Sequence, residues 1–149
     1  MGKAEVADVT FELLSDCDEP LSRELLELYR QADFLDGDES WEYIPRMIRG
    51  SYLFVTARRG GRLAGAARSI SDGVSDAYIQ DVAVMPDCRG AGIGSGMMEY
   101  LIEALQRRNI EWIGLIGVAG SSHFYQRLGF EPLSEMTPMR YWREAGQKK

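Results

Sequence analysis

Four glycines at strictly alternate positions, Gly90, Gly92, Gly94 and Gly96, follow an apolar run and open an amphipathic pattern. A glycine run of this kind frees the backbone and removes side chains a packed element would use. The preceding stretch from Ala77 to Val84 reads as a buried strand, ended by Met85-Pro86. After the loop, Ile93, Met97, Leu101 and Leu105 fall four apart and form one apolar stripe, predicting a helix from about Gly94 to Arg108. The segment is a strand–loop–helix unit. Its glycines let the backbone approach a ligand closely, and the helix start offers free N–H groups and the positive end of the dipole. Such a loop suits a phosphate or pyrophosphate, with Arg89 as a fixed positive charge.

The common nucleotide loops fit poorly. A P-loop requires Gly-Lys-Ser/Thr, whereas this chain has Gly94-Ser95-Gly96. A dinucleotide fingerprint requires G-x-G-x-x-G at a first strand–helix turn, and this loop has alternate glycines past the middle of the chain.

Around this unit the chain reads as β-α-α-β-β-β-α-β-α-β-β. Val9, Phe11 and Leu13 alternate as a first strand. Pro20 and Ser22 start a helix carrying Leu25, Leu28 and Tyr29. The acidic, aromatic stretch Asp33 to Glu42 leads to a short helix from Ile44 to Arg49, closed by Gly50, with Pro45 in its first turn. Strands follow at Tyr52 to Ala57 and Leu63 to Ile70, joined by a glycine hairpin. Asn109 is placed as a left-handed cap after the long helix. Trp112 to Val118 reads as a buried strand and Ser121 to Leu128 as a short helix ended by Gly129. Strand-like pieces near Phe130 and from Met136 to Trp142 complete the order. Hairpins in the middle and at the end, with one crossover helix, predict a mixed sheet with helices on its faces. The 149 residues, without linker or repeat, read as one domain.

Composition narrows the function. A net charge of −6 disfavours a duplex-wide phosphate contact surface. Two cysteines, Cys17 and Cys88, and one histidine, His123, make neither a disulfide framework nor a metal set. No run of 18 apolar residues is present, and the start lacks the pattern of a signal peptide or myristoylation site. The expectation is a cytoplasmic protein with no metal, nucleic-acid or membrane partner.

The sequence resembles the GNAT superfamily of acyl-CoA-dependent N-acetyltransferases. Arg89-Gly90-Ala91-Gly92-Ile93-Gly94 matches the family's pyrophosphate loop, and Ile79-Gln80-Asp81-Val82-Ala83-Val84-Met85-Pro86 looks like its fourth strand. Phe124-Tyr125-Gln126-Arg127-Leu128-Gly129-Phe130 resembles its F-Y-x-x-x-G-F segment, and the element order agrees along nearly the whole chain. The resemblance implies a single-domain α/β fold, a mixed and mostly antiparallel sheet flanked by helices on both faces.

It also implies roles. Acetyl-CoA would be the co-substrate and a primary amine the acceptor, attacked directly without a covalent enzyme intermediate. The backbone of Val82, Ala83 and Val84 would hold the pantetheine arm, exposed by a splay between the fourth and fifth strands. N–H groups from Arg89 through Gly90, Ala91, Gly92, Ile93 and Gly94 to Ser95 would cradle the pyrophosphate. Phe124 would pack against the cofactor, and Tyr125 would be the general acid for the leaving thiolate. Many members place an Asn at the end of the fifth strand; here Val118 stands there, and Ser122 is the candidate replacement. Some members have a Glu base on the fourth strand where this chain has Tyr78. A water held by Gln80 or Tyr78 is the alternative, because strand alternation puts Tyr78, Gln80, Val82 and Val84 on one face and Asp81 on the other. Asp81 then reads as a carboxylate bonding backbone N–H groups of a neighbouring element.

Phe34, Asp36 and Trp41, from the segment that in this fold borders the acceptor, join Gln80 as candidate substrate contacts. Carboxylates and aromatic faces suit a small cationic amine. A non-enzymatic acyl-CoA sensor, a protein or peptide acetyltransferase and a nucleotide-binding regulator stand as alternatives, and the resemblance allows a homodimer.

Overall fold

The computed structural model describes residues 8–142. They fall into two compact units, dividing after Leu115. The first holds five strands in the order of the chain: β1 (Val9–Leu13), β2 (Leu53–Arg59), β3 (Arg62–Ile70), β4 (Asp76–Val84) and β5 (Trp112–Leu115). The pairs β1–β2, β2–β3 and β3–β4 are antiparallel, and β4–β5 is parallel. Helices α1 (Glu19–Gln31), α2 (Ile44–Gly50) and α3 (Ile93–Gln106) complete this unit. The expected mixed, mostly antiparallel sheet is present, and α3 is the crossover that a parallel pair requires.

Local chemistry sets the helix ends. The Asp18 side chain accepts from the Leu21 N–H at 3.0 Å, and Pro20 occupies the first turn of α1, where its missing N–H costs nothing. Pro45 does the same in α2. Asn109 is left-handed (φ 61°), which lets the chain reverse after α3.

Both faces of the sheet are covered. On one, Leu25, Leu28 and Tyr29 of α1 and Ile44 and Ile48 of α2 pack on Phe54, Leu63, Ala66 and Ala83. On the other lies α3: Gly96 sits against the Phe11 ring and Met97 beside Gly65, where any Cβ would collide. Leu53 to Ala57 are therefore all buried, and four of these five residues, all but Thr56, are apolar. Each large side chain so buried contributes about 1.5–3 kcal/mol.

The second unit contains α4 (Ser122–Arg127). Two expectations fail at this end of the chain. The fifth strand stops at Leu115 instead of reaching Val118, and no strand forms near Phe130 or from Met136 to Trp142. Pro132 and Pro138 each remove a ladder donor there, and the Met136 N–H turns back to the Leu133 carbonyl at 3.1 Å. Among the described residues no helix is long and apolar enough to cross a membrane.

Candidate functional site

The glycine loop has the geometry its sequence implies. After β4 the chain makes a 3-10 turn (Pro86–Cys88), then passes through Gly90 and Gly92, both at φ 79°. Gly92 is the N-cap of α3 and brings no side chain to cap it. The first helical bond runs from the Gly96 N–H to the Gly92 carbonyl at 3.0 Å, so the amides of Ile93, Gly94 and Ser95 precede the helix ladder. A Cβ on Gly90 would meet nothing within 4 Å, so that residue borders open space. The cradle thus fits a pyrophosphate. Arg89 folds back, its Nε donating to the Val84 carbonyl at 3.2 Å. Arg62 and Asp87 form an ion pair beside the loop.

Pairing of β4 with β5 ends at Ile79 and Leu115, so residues 80–84 of β4 lie past the last rung of that ladder. Within this stretch β4 carries a bulge. Between the pairs Ala66–Ala83 and Arg68–Gln80, β3 has one residue and β4 has two, Asp81 and Val82. Asp81 takes the extra turn at φ 54°, a left-handed conformation that Asp tolerates better than most residues.

The bulge overturns the expected facing. Simple alternation would put Tyr78, Gln80, Val82 and Val84 together and Asp81 opposite. Instead Asp81 and Gln80 both reach Arg68, whose Nε donates to Asp81 Oδ2 at 2.6 Å and whose Nη2 lies 3.3 Å from Gln80 Oε1. Arg68 pairs across β2 with Phe54, so this is the α1–α2 face. Beyond the bulge Ala83 belongs to that face's core, while Val84 lies on the α3 face near Gly65 and Met97. The expected backbone partner for Asp81 is also replaced, by the Arg68 guanidinium.

Two tyrosines close this region. Tyr29 of α1 is buried, and its hydroxyl finds no hydrogen-bond partner among the described residues. Burial raises its pKa, and the nearby Asp81 charge adds to the effect. Tyr43 is raised in the same direction by burial, with Glu39 and Asp81 adding to it. The pattern gives Tyr29 only as a position on the apolar face of its helix and gives no sign of Arg68; the signal for the bulge is Asp81, the one carboxylate between Ala77 and Val84.

The acidic segment is more structured than its composition suggests. The Glu39 carboxylate accepts from the Asp36 and Gly37 N–H groups at 3.0 Å each, which holds it below the usual carboxylate range. Phe34 stacks on Tyr29 with ring centroids 5.9 Å apart. Asp36 is exposed. The Trp41 ring is already faced by the Arg23 guanidinium at 5.4 Å, so the chain supplies that ring with its own cation.

In the second unit Tyr125 sits in α4 with its ring edge-on to Phe124 (5.0 Å) and Phe130 (5.9 Å). Gly129 is left-handed (φ 96°), and the Phe130 N–H returns to the Tyr125 carbonyl at 3.1 Å. The F-Y-x-x-x-G-F spacing thus builds a small aromatic cluster. Half-burial raises the Tyr125 pKa, keeping the phenol protonated at neutral pH. Ser121 Oγ donates to the Val118 carbonyl at 2.7 Å and closes on Gly117. Ser122 and His123 are exposed on α4.

A family model described as the acetyltransferase (GNAT) family matches residues 11–130. The chain belongs to that family. GNAT proteins use acetyl-CoA as co-substrate. A GNAT-family acetyltransferase of Streptococcus pneumoniae shares the fold with TM-score 0.72 at 24% identity, over 91% of this chain and 99% of that one. A histone acetyltransferase of Glycine max is 40% identical over 81 residues, 54% of this chain and 35% of that protein. A chloroplastic serotonin N-acetyltransferase of Oryza sativa subsp. japonica is 39% identical over 70 residues, 47% of this chain and 35% of that protein. The matched segments thus span about a third of these curated GNAT relatives.

Proposed function

We propose that the chain works as one acetyltransferase domain, residues 1–149, moving an acetyl group from acetyl-CoA to the primary amine of a small cationic acceptor. The observation that carries this reading is the uncapped start of α3 after the bulged end of β4, which pairs with β3 and lies past the last rung shared with β5. The amides from Gly90 to Ser95 would hold the pyrophosphate, and the backbone of Val82, Ala83 and Val84 the pantetheine arm. Names of relatives divide on the acceptor, a histone against serotonin. The choice of a small cation rests on the exposed Asp36 carboxylate, the faces of Phe34 and Tyr43, and the net charge of −6.

In the proposed reaction the amine gives up a proton through water held by Gln80 and Tyr78, then attacks the thioester carbonyl. A C–N bond forms, and the oxygen's developing charge is met by the Val82 N–H at the bulge. The C–S bond then breaks as the nitrogen gives its second proton to the same water and on to solvent, and the Tyr125 phenol gives the sulfur a proton, regaining one from solvent.

A thiol-release screen with acetyl-CoA against amines grouped by charge tests this. Turnover of small cationic amines, with KM rising as salt screens the attraction, is the expected result. CoA binding without thiol release across the panel would make the chain an acyl-CoA-binding module instead. Preference for neutral or anionic amines with no salt effect would overturn the acceptor class.

A further inference from the structure

Arg68 stands where a sheet seldom keeps a charge. It lies in β3, the middle strand of the five, and its neighbours Leu63 to Ala67 and Ser69 are all buried. Among the described residues its ion-pair partner is Asp81.

The contact it makes does not suit a regular strand. Consecutive strand residues point to opposite faces, yet one guanidinium holds both Gln80 and Asp81. Its Nη2 lies 3.3 Å from Gln80 Oε1, and its Nε 2.6 Å from Asp81 Oδ2. Gln80 is also the residue directly across the ladder from Arg68. The grip exists while Asp81 keeps its left-handed turn (φ 54°), so it favours the bulge over a regular register.

The strand beyond is fastened without Arg68. Ala83 and Val84 pair with Ala66 and Gly65, and the Met85 N–H donates to the Ala64 carbonyl at 2.8 Å. Between those rungs and the Arg68–Gln80 pair, only Ala67 stands against Asp81 and Val82, and its methyl side chain offers no polar tie. The orientation of the peptide joining Asp81 to Val82 therefore leans on the Asp81 side chain and on what holds it.

We propose that Arg68 is a positioning residue for acetyl transfer. By gripping Gln80 and Asp81 together it aims the Val82 N–H at the thioester carbonyl and keeps the Gln80 side chain beside it, without touching substrate. The proposal rests on the acetyl-transfer reading above, which uses both groups. It divides the strand in two: Ala83, Val84 and the glycine loop hold the cofactor independently of Arg68, whereas polarisation of the carbonyl depends on it.

The test follows the infrared carbonyl stretch of acetyl-CoA labelled isotopically at that carbon. On the wild-type chain the stretch should fall below its frequency in free acetyl-CoA, the signature of a hydrogen bond to the oxygen. Arg68→Met should return it toward the free value and leave the Kd for CoA nearly unchanged. With the fastest amine of the charge-grouped screen, this variant should lose about 10²-fold in kcat, the scale of a misplaced reacting group. Arg68→Lys keeps the charge without the planar fork and should fall between. Because Arg68→Met strands the Asp81 carboxylate, the double variant Arg68→Met/Asp81→Asn controls for folding. It should regain stability to urea but neither kcat nor the carbonyl shift. Recovery of kcat together with stability would make the pair a structural feature and overturn the proposal. So does a carbonyl shift that survives in folded Arg68→Met protein, or a wild-type chain that turns over amines with no shift at all. Absence of thiol release with every amine defeats the acetyl-transfer reading itself.

Discussion

Arg68 Nε meets Asp81 Oδ2 at 2.6 Å, and this contact ties the bulged residue of β4 to the neighbouring strand. Asp81 stands at φ 54°, so two demands fall on one side chain: tolerance of a left-handed backbone and a partner for a guanidinium that is mostly buried. They can be separated. Asp81→Ala loses both and should cost about 1–3 kcal/mol, the range for non-glycine strain at such a site. Asp81→Gly relieves the backbone, and Asp81→Asn keeps an acceptor for Arg68; both should unfold later in urea than Asp81→Ala. If the three variants unfold at the same denaturant concentration, the bulge conformation carries none of the cost.

The buried Tyr29 hydroxyl lacks a partner among the described residues, and its pKa is raised, chiefly by burial. A group whose folded pKa is raised supports stability below its unfolded value, near 10 for tyrosine, and that support is lost as pH rises. Alkaline unfolding of the wild-type chain should therefore set in above about pH 10. Tyr29→Phe removes both the titrating group and an unpaired buried polar atom. Its stability at neutral pH should equal or exceed wild type by about 1 kcal/mol, and its thermal midpoint should hold to higher pH. A clear loss of stability at neutral pH would mean the hydroxyl has a partner.

How much was legible in the sequence follows from how local each cause is. The start of α3 and the turn at Asn109 are set by residues within one turn of the site; the helix begins at Ile93, one residue before the expected Gly94, and Asn109 stands where the pattern placed it. The facing of Asp81 is not local: one extra residue between two ladder pairs inverts the alternation beyond it, and periodicity alone carries no trace of that. The expected last strands do not form because Pro132 and Pro138 each remove a ladder donor, which apolar residues such as Met136 and Tyr141 do not restore.

At the loop, Gly92 takes φ 79° as the N-cap of α3. A valine there is strained by its backbone and fills space that a phosphate would need. Gly92→Val should lower CoA affinity at least tenfold by calorimetry, cost about 1–3 kcal/mol of stability and leave the far-UV circular dichroism unchanged. Normal CoA binding by this variant would remove the loop from the site.

Tyr125 offers the sharpest separation of chemistry from packing. Its ring is edge-on to Phe124 and Phe130, and Tyr125→Phe retains those contacts while deleting only the hydroxyl. CoA affinity and thermal stability should change little. A thiolate is a moderately good leaving group, so a general acid helps without being obligatory, and kcat should fall by about 10²-fold, the low end for such a group. The acid works only while protonated, and burial raises its pKa. Wild-type kcat should hold through neutral pH and decline as pH rises through that raised value, above about 10. The variant should lack this limb. Wild-type kcat with an unchanged pH profile in Tyr125→Phe would make the tyrosine a packing residue, with the thiolate leaving unassisted or protonated by another group.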